Sequence, residues 1–509
     1  VHNRNSMWLV ALLAICHMPL AAPAARASVK LPEIIADHMV LQRDRKVGIW
    51  GWADPGERVT VTMGGRSASC VADGRRNWMV SLGPFRAGGP FELRVAGSNT
   101  LTVHDVLVGD VWVCSGQSNM ELGLALASNA ACEIPRANHK TIRLYTVRPT
   151  LATSRRPDTQ GSWAVCSPAS AAGFSATGYF FGRELQEKLK VPVGLVACAY
   201  SGSPIEAWES RYALKRLKAF RPEMARWDWI DRDYKLEAQI YRLKRAVWRV
   251  HGQIARAFGM RPPKPPHPLP ELSQLGGPSV LFDGMVAPML PFVVRGVIWE
   301  QGEADVGRAA LYRILFPALI CDWRSWWHEP DMAFYFVQLH NYESGIGKKG
   351  TSALAELREA QAAALALPHT GMAVAIDLGD ENWVHFSNKQ AVGRRLAAAV
   401  LAGEYGLKVA ARGPEFAALS IDGRTARVSM RNAPGGLRTS DGQAPRAFQI
   451  AGADKRFRPA DARIERATVV LSSRQVARPV YVRYAWADNP ACNLVNQAGL
   501  PAVPFRTDR

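Results

Sequence analysis

Several patterns that would assign this chain to a metal, redox or nucleic-acid class are missing. No C-x-x-C pair occurs among its eight cysteines, and no His/Cys cluster has zinc-ligand spacing. A zinc ribbon, a zinc finger and a dithiol redox motif are therefore excluded. No module of interleaved basic and aromatic residues suits nucleic acid, although the formal net charge is +19. That charge describes a cationic surface that favours acidic surfaces or ligands, and it specifies no chemistry. Beyond the first 27 residues no apolar run is long enough to span a bilayer. The chain has no internal repeat and no G-x-S-x-G, the turn that exposes the serine of common lipases. What is present is globular: 509 residues, 48% hydrophobic, with 16 tryptophans. This is more than one core usually holds, so two to four domains are expected.

Residues 1–27 read as a secretory leader. His2 and Arg4 form a weakly basic start, Trp8 to Ile15 is a short apolar run, and Ala25-Arg26-Ala27 fits a small-x-small cleavage site. The expectation is export, to a periplasmic or extracellular location. With Cys16 in the leader, seven cysteines remain, an odd number. Cys132 and Cys166 lie in loop-like sequence where a bridge can form, whereas Cys114 and Cys198 sit in apolar runs and read as buried thiols.

Residues 28–108 look all-β. Runs such as Val59 to Thr62 and Phe91 to Val95 alternate or are β-branched, and Asp54-Pro-Gly and Gly64-Gly turns separate them. A small sandwich is expected. From 109 to 405 strands and helices alternate. Strands are expected at Val111–Cys114, Val193–Ala199, Val293–Trp299, Ala333–Leu339 and Met372–Ile376. Helices are expected at Gly178–Lys190, Leu354–Leu367 and Asn388–Val400, with apolar residues on one stripe. This order implies α/β architecture with a mostly parallel sheet covered on both faces, and ligands at the carboxyl ends of its strands. A basic helical and Pro-rich insertion at 210–279 reads as two helices closed by a semi-rigid segment, placed either over the site or away from it. Residues 406–509 return to short β-like runs and suggest a second sandwich.

The chain is organised around Val111 to Leu124, VWVCSGQSNMELGL. An apolar strand there ends in Gly116 and delivers Ser118 to a helix start, where backbone amides can receive an oxyanion. Acyl transfer needs a nucleophile, a base and oxyanion donors. Other strand ends offer candidates. Gly202 follows a strand and has an N–H that can approach a carbonyl closely, Gln301 carries a neutral amide donor, and His385 falls just after the fifth expected strand, before the last helix.

The chain resembles the sialate O-acetylesterase family, within the SGNH (GDSL-like) hydrolases. The stretches that carry the resemblance are Asp37-His-Met-Val-Leu-Gln42, Trp50 to Gly56, Asp110 to Glu121, Gly202 to Trp208, Gly284 to Pro288, Trp299-Glu-Gln-Gly-Glu303, Asn388-Lys-Gln390 and Tyr484 to Pro490. The resemblance implies an SGNH-type α/β/α sandwich flanked by N- and C-terminal β-domains. It implies removal of O-acetyl groups from sugars without metal or organic cofactor. By the same resemblance Ser118 is the nucleophile, His385 the general base, Gly202 and Gln301 the oxyanion donors, and Glu303 and Asp305 polar groups near the substrate pocket.

Departures from the family pattern surround His385. The acidic residue expected two or three positions before it is replaced by Trp383 and Asn382, the following Pro by Phe386, and the Asn of the Gln-Gly-Glu motif by Asp305. The acid orienting the imidazole is left open among Asp377, Asp380, Glu381 and a backbone carbonyl. Two readings follow: an O-acetylesterase acting on acetylated sialic acid or plant polysaccharide, or a catalytically weakened member that binds acetylated glycans. A protease or lipase is a third and weaker alternative.

Overall fold

The computed structural model describes residues 29–268, 277–346 and 351–508. The expected leader lies outside them, as does part of the Pro-rich insertion.

One long strand, Thr100–Gly116, joins two regions of the molecule. Its first half pairs antiparallel with Gly88–Ala96 and belongs to the N-terminal β-region. Its second half is buried on both faces and forms the middle of a parallel sheet. The expected boundary at 108/109 therefore falls inside one continuous strand. The order across the sheet is Thr370–Val374, Ala333–Gln338, Gly296–Glu300, Thr100–Gly116, Val193–Ala199, His139–Thr146, Trp163–Cys166. Every neighbouring pair is parallel except the last. One buried acid lies in the sheet half of the long strand, Asp110. Its carboxylate is satisfied by Arg43 at 2.9 and 3.0 Å and by the Tyr405 hydroxyl at 2.8 Å, which offsets the cost of burying its charge.

The helices follow the apolar stripes. In Ala176–Leu189, Phe181 and Leu185 are buried. In Lys389–Gly403, Val392, Leu396 and Val400 are buried, and Asn388 caps the N-terminus by accepting from Ala391 N. The helix Ala309–Trp327 was not visible in the periodicity. It carries apolar residues on several faces, with Pro317 inside. The N-terminal strands Val47–Trp52, Arg58–Met63 and Asn77–Leu82 alternate buried and open residues, as half-buried sheets do. The C-terminal region contains two four-stranded sheets and a two-stranded pair around Val428, Ile450, Leu471 and Tyr484. It is fastened to the α/β region by buried Arg358, which donates to the carbonyls of Leu339, Ala487 and Asp488.

Two expectations are corrected. Cys132 and Cys166 do not bridge: Cys132 is exposed, while Cys166 is buried and directs its thiol to Ala137 O. Cys114 and Cys198 are buried free thiols, as read. The insertion is not a pair of comparable helices. It contains the short helix Arg211–Arg216 and a single helix of 37 residues, Arg221–Ala257. Among the described residues no helix is long and apolar enough to cross a membrane.

Candidate active site

Parallel register brings the chemistry together. Gly116 is paired with Ala199 on one side and Glu300 on the other, so the loops after three strands start side by side. Gly116 has φ +139°, and a Cβ there would lie 2.1 Å from Glu300 O; only glycine permits this approach. Two residues later Ser118 opens a one-turn helix, Ser118–Glu121.

His385 arrives from the loop between Thr370–Val374 and Lys389–Gly403. Its Nε2 lies 2.9 Å from Ser118 Oγ. Asn119 Nδ2 donates to Val384 O at 3.0 Å, and Ser128 N to Ser387 O at 2.8 Å, so the loop is pinned on both sides of the imidazole. Ser118 and His385 share an open cleft of about 680 Å³ with Glu121, Leu126, Ser201 and Trp383. Trp383 is 63% exposed there. No described residue of the insertion lines this cleft.

The missing acid stays missing. Among the described residues no carboxylate pairs with His385. Asp377 is held by Arg395 at 2.6 and 2.7 Å, and Asp380 accepts from Asn382 N at 2.9 Å. Glu381 is exposed, and its recorded bond is through its carbonyl, to Glu343 N. The next residue, Phe386, packs on His340, ring centroids 4.3 Å apart, with the Lys389 ammonium 3.8 Å from the Phe386 centroid. Burial, with Lys389 and Arg358 nearby, pushes His340 well below the ordinary histidine range.

The other expected site residues separate into two groups. Gly202 is exposed at φ +68° in the turn beside Ser201. Neither its N–H nor that of Ser118 has a partner among the described residues. Ser118 lines the cleft, and Gly202 is next to Ser201, which also lines it. Gln301, in contrast, is fully buried and outside the cleft, and its Nε2 donates to Ser203 O at 3.1 Å and Asp305 Oδ2 at 2.6 Å. Its amide, expected as an oxyanion donor, here holds the Gly202 loop through Ser203. Asp305 and Glu303 do not line the cleft either. Asp305 accepts from Ile205 N at 3.1 Å and pairs with Arg308, which also grips Glu206 at 2.9 and 2.8 Å. Burial pushes Asp305 up to about 6. Glu303 accepts from Asn119 Nδ2, its Oε2 is buried without a partner, and burial pushes it up to about 7. Both carboxyls hold the loops that carry the chemistry.

Sequence reasoning missed the buried network under Ser118. Lys389 Nζ donates to Asn119 Oδ1 at 2.7 Å and to Glu300 Oε1 at 2.8 Å, and Thr177 donates to the other oxygen of Glu300 at 2.8 Å. Burial pulls Lys389 below the ordinary lysine range, and the Glu300 charge opposes that pull. The available signal was a lysine at the start of an amphipathic helix, on the buried side rather than the open one.

A family model described as a carbohydrate esterase, sialic acid-specific acetylesterase, matches residues 108–241 and 280–402. The rat (Rattus norvegicus) sialate O-acetylesterase is 31% identical over 441 residues, covering 78% of each chain. The human enzyme of the same name is 31% identical over 411 residues, 74% of this chain and 71% of its own. A crystal structure of a carbohydrate acetylesterase from Xanthomonas citri superposes with a TM-score of 0.81 at 36% identity, covering 94% of this chain and 100% of the other.

Proposed function

The chain belongs to the sialic acid-specific acetylesterase family of carbohydrate esterases and is an ester hydrolase; from that premise we propose that it removes O-acetyl groups from sugars with a Ser118–His385 dyad. The observation that carries the reading is the 2.9 Å contact between Ser118 Oγ and His385 Nε2 in an open cleft. This is the spacing at which an imidazole can take a hydroxyl proton.

His385 accepts the Ser118 proton as Oγ attacks the acetyl carbonyl carbon. The tetrahedral oxyanion is held by the N–H groups of Ser118 and Gly202, and losing one such donor typically costs about 10²–10³ in rate. The C–O bond to the sugar breaks, and the sugar oxygen leaves with the proton from His385. A water, deprotonated by the same imidazole, then hydrolyses the acetyl-serine to acetate and free Ser118. Among the described residues no acid orients the ring, so its placement rests on the loop pinned at Val384 and Ser387. The catalytic region is read as an SGNH-type α/β/α sandwich. The leader-like residues 1–27 support action outside the cytoplasm, periplasmic or extracellular. The exposed Trp383 and the cationic surface suit a sugar ring and an acidic sugar respectively. Acetylated sialic acid and acetylated plant polysaccharide are the substrates to compare.

A second reading, a glycan-binding member with weakened catalysis, is favoured by the absence of a carboxylate at His385. Acetate release from O-acetylated sialic acid and acetylated xylo-oligosaccharides, by the parent and by Ser118→Ala, separates the two. Release by the parent alone supports the esterase and names its substrate. Glycan binding without release by either protein supports the binder, and equal release by both removes Ser118 from the mechanism.

A further inference from the structure

The 37-residue helix Arg221–Ala257 is about 55 Å long at 1.5 Å per residue, and the site makes no use of it. One of its faces is turned inward. Met224, Gly252 and Ala255 are buried, and Trp248 Nε1 donates to Pro263 O at 2.7 Å, which ties down the chain returning from its end. The opposite face is apolar and open. Leu236, Ile240, Leu243, Val247, Val250 and Ile254 follow one another at steps of 4, 3, 4, 3 and 4 residues, and each is between 42% and 68% exposed. Trp229, 60% exposed, lies on the same line one heptad before Leu236. A seam repeating every 3.5 residues is the a/d pattern of a coiled coil, and a lone helix in water has no use for it.

We propose that this seam pairs with the same seam of a second copy of the chain, as a two-fold antiparallel coiled coil. The charges select both the occupant and the direction. Residues 221–237 contain four basic and five acidic side chains, whereas 238–257 contain five basic and no acidic ones. Antiparallel pairing lays the acid-bearing half of each helix on the basic half of the other. Parallel pairing would stack the two basic halves. Asp233 interrupts the seam. Antiparallel pairing sets it in the partner's basic half, and parallel pairing sets it against its own copy.

The register follows. With Ile240 against Leu243 of the partner subunit and Leu236 against Val247 of the partner subunit, Trp229 falls on Ile254 of the partner subunit. The flanking Glu237 then faces Lys244 of the partner subunit, and the two-fold axis makes this pair twice. No like-charged flanking pair arises in this register.

Sedimentation of the full chain across a concentration series tests the proposal. The parent is expected to be a dimer. Leu243→Glu is expected to weaken it about 30-fold or more, with circular dichroism and 4-nitrophenyl acetate hydrolysis unchanged, since no residue of this helix lines the cleft. Glu237→Lys and Lys244→Glu should each weaken the dimer, and the double variant should restore it. A parallel pair, in which Glu237 faces Arg232 of the partner subunit, would not be restored, so failed rescue overturns the antiparallel register. A dimer indifferent to Leu243→Glu overturns the seam. A monomeric parent overturns the proposal outright, and if that monomer floats with anionic phospholipid vesicles, the face is a membrane-docking one instead.

Discussion

The Lys389 ammonium donates to the Asn119 side-chain oxygen at 2.7 Å, and both groups are fully buried. Asn119 is the residue after Ser118, and its own amide holds the loop of His385 through Val384 O. The nucleophile and the base are thus tied to one buried cation, whose counter-charge is Glu300 on the adjacent strand.

Removing that cation leaves Glu300 buried and unpaired. Lys389→Met is expected to destabilise the fold by about 3–5 kcal/mol and to lower kcat by loosening the 2.9 Å Ser118–His385 contact. Lys389→Met combined with Glu300→Gln should recover much of the stability. Chemical denaturation of the two single variants and the double variant measures the coupling, and additive losses would mean that the pair does not act as a unit.

The orphaned imidazole makes a second prediction. Asp377→Asn, Asp380→Asn and Glu381→Gln touch no atom of His385 and are each expected to change kcat/KM by less than about tenfold. Loss of an acid that orients the tautomer costs about four orders of magnitude. A fall of that size in any one variant would identify the residue as an acid that moves onto His385 when substrate binds.

Glu303 gives the fold a pH dependence. Its folded value of about 7 lies above the ordinary 4.5. Between those two values the native protein keeps a proton on Glu303 that the unfolded chain has released, so the contribution of Glu303 to stability is greatest below pH 4.5 and is lost as the pH rises to about 7. The size is about 3 kcal/mol. Glu303→Gln keeps an acceptor for Asn119 and removes the titration. Its stability relative to the parent should therefore improve by about that amount between pH 4 and pH 8, measured by denaturant unfolding at both. A constant difference would show that Glu303 titrates alike in the folded and unfolded chain.

Trp383 is expected to contact the sugar and not the acetyl group. Trp383→Ala should raise KM for an acetylated oligosaccharide about three- to tenfold, the equivalent of roughly 1 kcal/mol of lost ring burial. The kcat/KM for 4-nitrophenyl acetate, which carries no sugar, should hardly change. Equal losses on both substrates would place Trp383 in the support of His385 instead.

Much of this protein was legible in its sequence. Short-range periodicity marks Val193–Ala199, Ala333–Gln338 and the helix Lys389–Gly403, because the spacing of apolar residues is itself the record of which face is buried. The motif residues around Ser118 and the presence of His385 were equally readable. The helix Ala309–Trp327 was not: an element buried on several faces has no polar side to set a period, and Pro317 reads as a break. The length of the helix Arg221–Ala257 was misjudged for a different reason, since its capping signals are weak and its open seam resembles a core stripe.

What only the tertiary structure decided is which polar groups face the cleft and which face each other. Gln301, Glu303 and Asp305 stand at the end of a strand, as the motif suggested, yet they turn inward to Ser203, Asn119 and Ile205. Lys389, which a pattern assigns to the open side of a helix, is the buried cation on which the site rests. Sequence spacing determined that these residues lie at the strand ends. It could not determine the direction of a side chain, because a buried polar group is placed by the partner that satisfies it, and those partners arrive from strands and helices distant in the chain.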